Sequence, residues 1–315
     1  MPREMLIWTD GARLAVVREV VAQMADVSVL AVGGPGRGAV SDLAEALGVP
    51  GLDDPRQMLV DHPASVLLLG CSTGVRAEDV ERAAASGTDV LWLDPPAGVE
   101  REVLRQGEGE WGRVACVPAW RMCPAWRSAS EPQQVLGGVH SMSLTGMSPA
   151  GGPSLYGLLY DAMDLVVHLL GEPDGLEAAL TGALVGPPEE NEGLTGHLTV
   201  HLRFGERASV TLHLSDRAMG WSRRLVVLGE GGRLIMDDGT YELIDAEGGV
   251  LDEEGAAEER LGVAGLIARQ WGWMAHQVMM PEAVNGEVIG ACCSAVLLSC
   301  RTGGSESPGV FRQLR

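Results

Sequence analysis

Two carboxylates and an imidazole fall on one stripe of an otherwise apolar segment. Asp161, Asp164 and His168 stand at i, i+3 and i+7, a spacing that places them on the same face of an α-helix. Such a set can divide acid and base roles or hold a divalent cation. It can equally be a solvated edge or a capped, hydrogen-bonded group, because charge beside apolar surface is costly unless paired. The spacing of Leu155, Leu158, Leu159, Met163, Val166, Val167 and Leu170 predicts one helix from Ser154 to Leu170. Ser154 is its natural N-cap after Pro153, and Gly171 and Pro173 close it.

The elements that must position this helix follow a simple order. Apolar strands are expected at residues 4–8, 27–32, 65–69 and 89–93. Helices are expected at 12–24, 39–47 and 77–85, with a glycine-rich loop, GGPGRG, at 33–38. That alternation predicts a doubly wound parallel sheet, Rossmann-like, with helices on both faces. Ligands of such sheets lie at the carboxyl ends of the strands, here residues 9–11, 33–37, 71–74 and 94–96. A last strand at 114–117 completes this domain, residues 1–125. The second domain, 126–315, is α+β, with an open, mainly antiparallel sheet and helices on one face. Its strands are read at 138–145, 197–204, 208–214, 224–228 and 232–236, and Asp237-Asp238-Gly239 marks a hairpin. His197, His201 and His213 read as surface or edge residues. Residues 250–260 form an acidic solvated loop, 266–280 a Trp- and Met-rich helix for core or subunit interface, and 290–301 the last helix.

The balance of charge limits the function classes. The 315 residues carry a net charge of −20, which excludes nucleic acid and anionic membrane surfaces as natural partners. All 23 cationic residues are arginine, so neither a lysine general acid nor a Schiff-base lysine exists here. No apolar run is long enough for a signal peptide or a membrane span. The six cysteines form no CxxC pair and read as core residues of a cytoplasmic protein.

The segment GGPSLYGLLYDAMDLVVHLLGEPD resembles the signature helix of the Gfo/Idh/MocA oxidoreductases (glucose-fructose oxidoreductase and inositol dehydrogenase relatives) through Gly151, Gly152, Asp164, Leu169, Leu170, Gly171 and Pro173. VLWLDPPAG resembles that family's Glu-Lys-Pro segment through Pro95 and Ala97. VPAWRMCPAW resembles its linker through Arg121 and Pro124, and SCRTGG its closing turn. The resemblance implies a hydride transfer between NAD or NADP and a sugar-like alcohol, with a lysine and a histidine handling the proton. Asp94 stands at the lysine position and Asp161 at the histidine position.

Candidate substrate contacts are Arg121, Tyr160, Asp164 and His168, which would support an Asp94–Asp161 pair, and candidate cofactor contacts are Thr9, Gly11, Gly34, Arg37 and Ser72. The glycine fingerprint is absent from WTDGARLA. Asp10 brings negative charge to the phosphate position, and no carboxylate follows the second strand, where Arg37 could meet a 2′-phosphate. Acids in place of cations reverse the electrostatics at the reacting oxygen. The expectation is therefore a degenerate member, a non-redox pseudo-enzyme or accessory subunit. A carboxylate- or metal-assisted lyase or hydratase using an Asp94–Asp161 pair is one alternative, and a divergent NAD(P)-dependent sugar oxidoreductase the other. Expected partners are a small sugar-like ligand and further subunits, identical or different, meeting through the second sheet.

Overall fold

The computed structural model describes residues 2–24, 26–95, 114–129, 135–183, 186–254, 262–275 and 286–313, without the side chains of Arg37, Ala39 and Trp273. The first sheet has six strands: β1 (Arg3–Trp8), β2 (Val27–Gly33), β3 (Gly51–Leu52), β4 (Val66–Leu69), β5 (Asp89–Trp92) and β6 (Val114–Cys116). They lie in the order β3-β2-β1-β4-β5-β6 and every pairing is parallel. The order reverses between β1 and β4, and a ligand crevice opens at such a point. β4 and β5 are buried along their whole length, because helices cover both faces. On one face α1 (Leu14–Gln23) and α2 (Arg37–Leu47) bring Val17, Val20, Val40 and Leu43 onto Met5, Ile7 and Leu68. On the other, α3 (Pro55–Asp61) and α4 (Ala77–Ala85) bring Met58, Val80 and Ala83 onto Leu6, Trp8 and Trp92.

A short 3₁₀ turn, Trp120–Met122, and α5 (Pro124–Ser128) lead out of this sheet. The second sheet comprises β7 (Val139–Pro149), β8 (Gly175–Thr181), β9 (His197–Phe204), β10 (Ala208–Ala218), β11 (Ser222–Gly229), β12 (Gly232–Met236), β13 (Tyr241–Asp245) and β14 (Val250–Glu254). Their order is β14-β13-β12-β11-β7-β10-β9-β8, antiparallel except for the β7–β10 pair. Leu198, Val200, Leu202 and Phe204 alternate inward on β9, while His197, Thr199, His201 and Arg203 face outward. The buried face carries α6 (Leu155–Leu170) and α8 (Gly286–Thr302).

Several elements differ from the sequence reading. Residues 250–254 of the acidic loop are an exposed edge strand, paired to β13, because Tyr241 and its neighbours offer a free ladder. Residues 255–260 lie outside the described set. β8 and β13 carry too little alternation to stand out in sequence. The Trp- and Met-rich helix, α7 (Val263–Ala275), lies in the core of the first domain, where Ile267, Trp271 and Met274 meet the apolar cluster of α1 and α2; Met279 and Met280 lie outside the described residues. A chain segment from beyond the second sheet thus completes the first. α9 (Pro308–Gln313) packs on α8.

Candidate active site at the carboxyl edge of the first sheet

The turn after β1 is built around a carboxylate and an arginine. Thr9 is wholly buried, and its N–H donates to the Gly33 carbonyl (2.8 Å). Gly34 and Gly70 press so closely on Thr9 that an added Cβ would lie 2.2 Å from its carbonyl oxygen and 2.6 Å from Oγ1 respectively. Asp10 Oδ1 then accepts the Arg13 N–H at the start of α1 (3.1 Å), and Asp10 Oδ2 accepts from Arg13 Nη1 (2.7 Å). The exposed Gly11 sits between them. A helix N-terminus attracts negative charge, and here the chain supplies its own.

Arg13 also reaches across the crevice. Its Nη2 pairs with Asp94 Oδ2, while Asp94 Oδ1 accepts the N–H of Ser154 (2.9 Å), the N-cap of α6. Asp94 is 5% exposed. Burial raises its pKa, against the opposing influence of Arg13 and the Ser154 hydrogen bonds. The Nε of Arg13 is buried and has no hydrogen-bond partner among the described residues. Cys71, at the end of β4, feels Asp10, Arg13 and Asp94, and burial first, then Asp10, push its thiol up to about 12. Two glycines bring α6 close to this edge. An added Cβ on Gly157 would lie 2.3 Å from the Leu93 carbonyl oxygen, and one on Gly151 would lie 2.5 Å from that of Ala12.

Asp161 lies two turns along α6, roughly 10 Å beyond Ser154 at the helical rise. Its Oδ1 accepts the Trp120 N–H (2.8 Å) and its Oδ2 accepts from Arg223 Nη1 (2.9 Å). Arg223 is fully enclosed. It donates to Asp238 Oδ1 through Nε (2.6 Å) and to the Pro118 carbonyl through Nη1 (2.9 Å). Its guanidinium carbon lies 4.4 Å from the ring centre of Trp120 and 5.1 Å from that of Trp221. Trp221 Nε1 donates to the other oxygen of Asp238 (2.8 Å). Burial raises the Asp161 pKa to about 7, with Arg223 and the Trp120 N–H pulling the other way. Burial would lower that of Arg223, but Asp238 and Asp161 raise it.

The remaining candidates are dispersed. Arg121 Nη1 pairs with both oxygens of Asp164 (3.2 and 3.3 Å), whose pKa burial raises against Arg121. Tyr160 is buried edge-on to Tyr156, with ring centres 6.4 Å apart. His168 is exposed, edge-on to Trp126 at 6.2 Å. Ser72 is half-buried in the loop after β4. Arg37 opens α2, and its side chain is outside the described set, as is Ala97. The structure does not join Asp94 to Asp161: each is held by a different arginine. Among the described residues no three His, Cys, Asp or Glu side chains gather for a metal ion, and no helix is long and apolar enough to cross a membrane.

Sequence reasoning missed Arg13, Arg223 and Asp238. Arg223 left a signal, since the alternation that buries Leu225 and Val227 also turns position 223 inward. Asp238 read as a turn residue only. Arg13 carried no signal, because its partner Asp94 is 81 positions away in sequence.

A six-stranded parallel sheet joined to an open, mostly antiparallel sheet is the fold of the Gfo/Idh/MocA-type dehydrogenases. A levoglucosan dehydrogenase solved with NADH superposes with a TM-score of 0.72 at 14% identity, over 98% of this chain and 99% of that one. A myo-inositol dehydrogenase from Corynebacterium glutamicum gives 0.65 at 16% identity, over 98% and 99%. An oxidoreductase from Agrobacterium radiobacter in complex with NAD+, L-tartaric acid and magnesium gives 0.68 at 12% identity, over 99% and 100%. No family model and no curated protein matches the sequence.

These findings correct the expectation of a non-redox pseudo-enzyme or accessory subunit. Structures that share the fold end to end include dehydrogenases and an oxidoreductase solved with NAD+ or NADH. The electrostatic ground for that expectation also falls. The acids at the lysine and histidine positions are each paired with a guanidinium, so neither stands as an uncompensated negative charge.

Proposed function

We propose that the chain is a divergent NAD(P)-dependent oxidoreductase that interconverts a secondary alcohol and a ketone on a small sugar-like or polyol substrate. The observation that supports this most is the end-to-end likeness to dehydrogenases holding NAD or NADH. The turn after β1 fits a dinucleotide in one specific respect: the buried Nε of Arg13, without a hydrogen-bond partner among the described residues, lies at the N-terminus of α1, the place where a pyrophosphate binds in this type of sheet. Thr9, Gly11 and Arg13 would hold the pyrophosphate, Gly34 and Arg37 the adenosine side, and Ser72 the nicotinamide side. The dinucleotide, when bound, supplies the hydride acceptor.

The chain's own task is the proton. Asp94 is assigned the proton of the reacting hydroxyl. It is buried, its proton affinity is raised, and it is held by the Arg13 guanidinium and the Ser154 N–H. Asp161 is held from two elements and by an arginine enclosed between two indoles, which suits a positioning role for the Trp120–Arg121 segment.

The test is reduction of NAD+ and NADP+, followed by nicotinamide absorbance, across a panel of polyols, sugars and sugar acids. Asp94→Asn is expected to lower kcat by about 10²–10⁴, the usual weight of a general base, with the dinucleotide still bound. A purified, folded chain that binds neither nucleotide and turns over no member of the panel would sink this reading.

A further inference from the structure

We infer that Arg13 exchanges partners when the dinucleotide binds, leaving Asp94 for the pyrophosphate and thereby releasing Asp94 for proton transfer. This rests on the oxidoreductase reading above. Arg13 is the residue preceding Leu14, the first of α1. Its guanidinium is spread between Asp10 on its own turn and Asp94 across the crevice, at the N-cap of α6. The Asp10 carboxylate takes the N–H of Arg13, the N-cap of α1, so a negative group of the chain stands at the helix end where a phosphate would. The three charges are linked through Arg13, and its Nε has no hydrogen-bond partner among the described residues. A pyrophosphate brought to this helix end offers acceptor oxygens with more charge than one carboxylate, in the bidentate geometry a guanidinium favours.

The exchange alters Asp94. Arg13 is the strongest influence holding its proton affinity down against burial. When Arg13 turns to the phosphate, the carboxylate keeps the Ser154 N–H but loses its cation, and its affinity for the hydroxyl proton rises. The base is then strengthened only when a hydride acceptor is present. Asp10 is a competitor for the same guanidinium and repels the incoming phosphate.

By linkage, removing a competitor for Arg13 must tighten dinucleotide binding. The experiment is titration of NADH and NADPH into full-length wild type, Arg13→Gln, Asp94→Asn, Asp10→Asn and the Arg13→Gln/Asp94→Asn pair, with circular dichroism to confirm folding. Asp94→Asn and Asp10→Asn are expected to bind about 5- to 150-fold more tightly than wild type, the range of ordinary coupling between sites. Arg13→Gln is expected to bind more weakly, and the gain from Asp94→Asn is expected to vanish in the double variant. A structural role for these residues would weaken binding in every variant alike. If wild type binds and turns over but neither Asp94→Asn nor Asp10→Asn gains affinity, the exchange is overturned and the oxidoreductase reading stands. If no nucleotide binds wild type or any variant, both fall. Should Arg13→Gln fail to fold, the two aspartate variants decide the question.

Discussion

Asp161 shows what burial does to a carboxyl that the sequence offers as a catalytic group. Its ordinary value is 3.8, and in the folded chain it is raised to about 7. The folded state therefore holds a proton that the unfolded chain has already released. Its contribution to stability is full below pH 3.8 and is withdrawn as pH rises through about 7. Asp161→Asn is expected to flatten the fall in stability across that window, measured by urea unfolding at a series of pH values. An unchanged slope would show that the carboxyl stays ionised throughout. The residue types at Asp94, Asp161 and Asp164 were legible as candidates from position alone. The arginines that hold Asp94 and Asp161 were not, because each of those pairings joins distant segments.

At the level of elements, α6 depends on close approach rather than on apolar area alone. Gly157 lies inside the helix, where alanine normally gains about 0.5–1 kcal/mol. A Cβ there would meet the Leu93 carbonyl at 2.3 Å and Asp94 Oδ1 at 3.3 Å, and such overpacking costs about 1–3 kcal/mol. The clash should win, so Gly157→Ala is expected to destabilise the protein and to displace Asp94. Gly272 in α7 is the natural control, since a Cβ there meets nothing within 4 Å. Gly272→Ala should be neutral or stabilising, and denaturation midpoints of the two variants compare them directly. The extent of α6, its Ser154 cap and its Gly171 end were readable from spacing and capping residues. The reason for Gly157 was not, because nothing in its neighbours in sequence names the carbonyl it meets.

For the whole molecule, charge sets the response to salt. A net charge of −20 repels itself over distances that salt shortens, from about 30 Å at 0.01 M to about 8 Å at 0.15 M. The melting temperature is expected to rise over that range in a calorimetric scan; a fall would mean that specific ion pairs outweigh the general repulsion. The enclosed pairs Asp161–Arg223–Asp238 are screened least and should contribute little to that response. α7 ties residues beyond the second sheet into the apolar core of the first.

By itself the sequence determined the alternation of strands and helices, the long signature helix and the positions of its carboxylates. Those follow from local periodicity, capping and the steric rules of single elements, which neighbouring residues settle among themselves. Only the tertiary structure decided what charge the site presents. Coulomb and hydrogen-bond energies act through space. Arg13 finds Asp94 at the far side of a crevice, and Arg223 finds Asp161 and Asp238 from three separate elements. Reading acids in place of cations one position at a time gave an inverted site, and folding supplied the guanidinium to each.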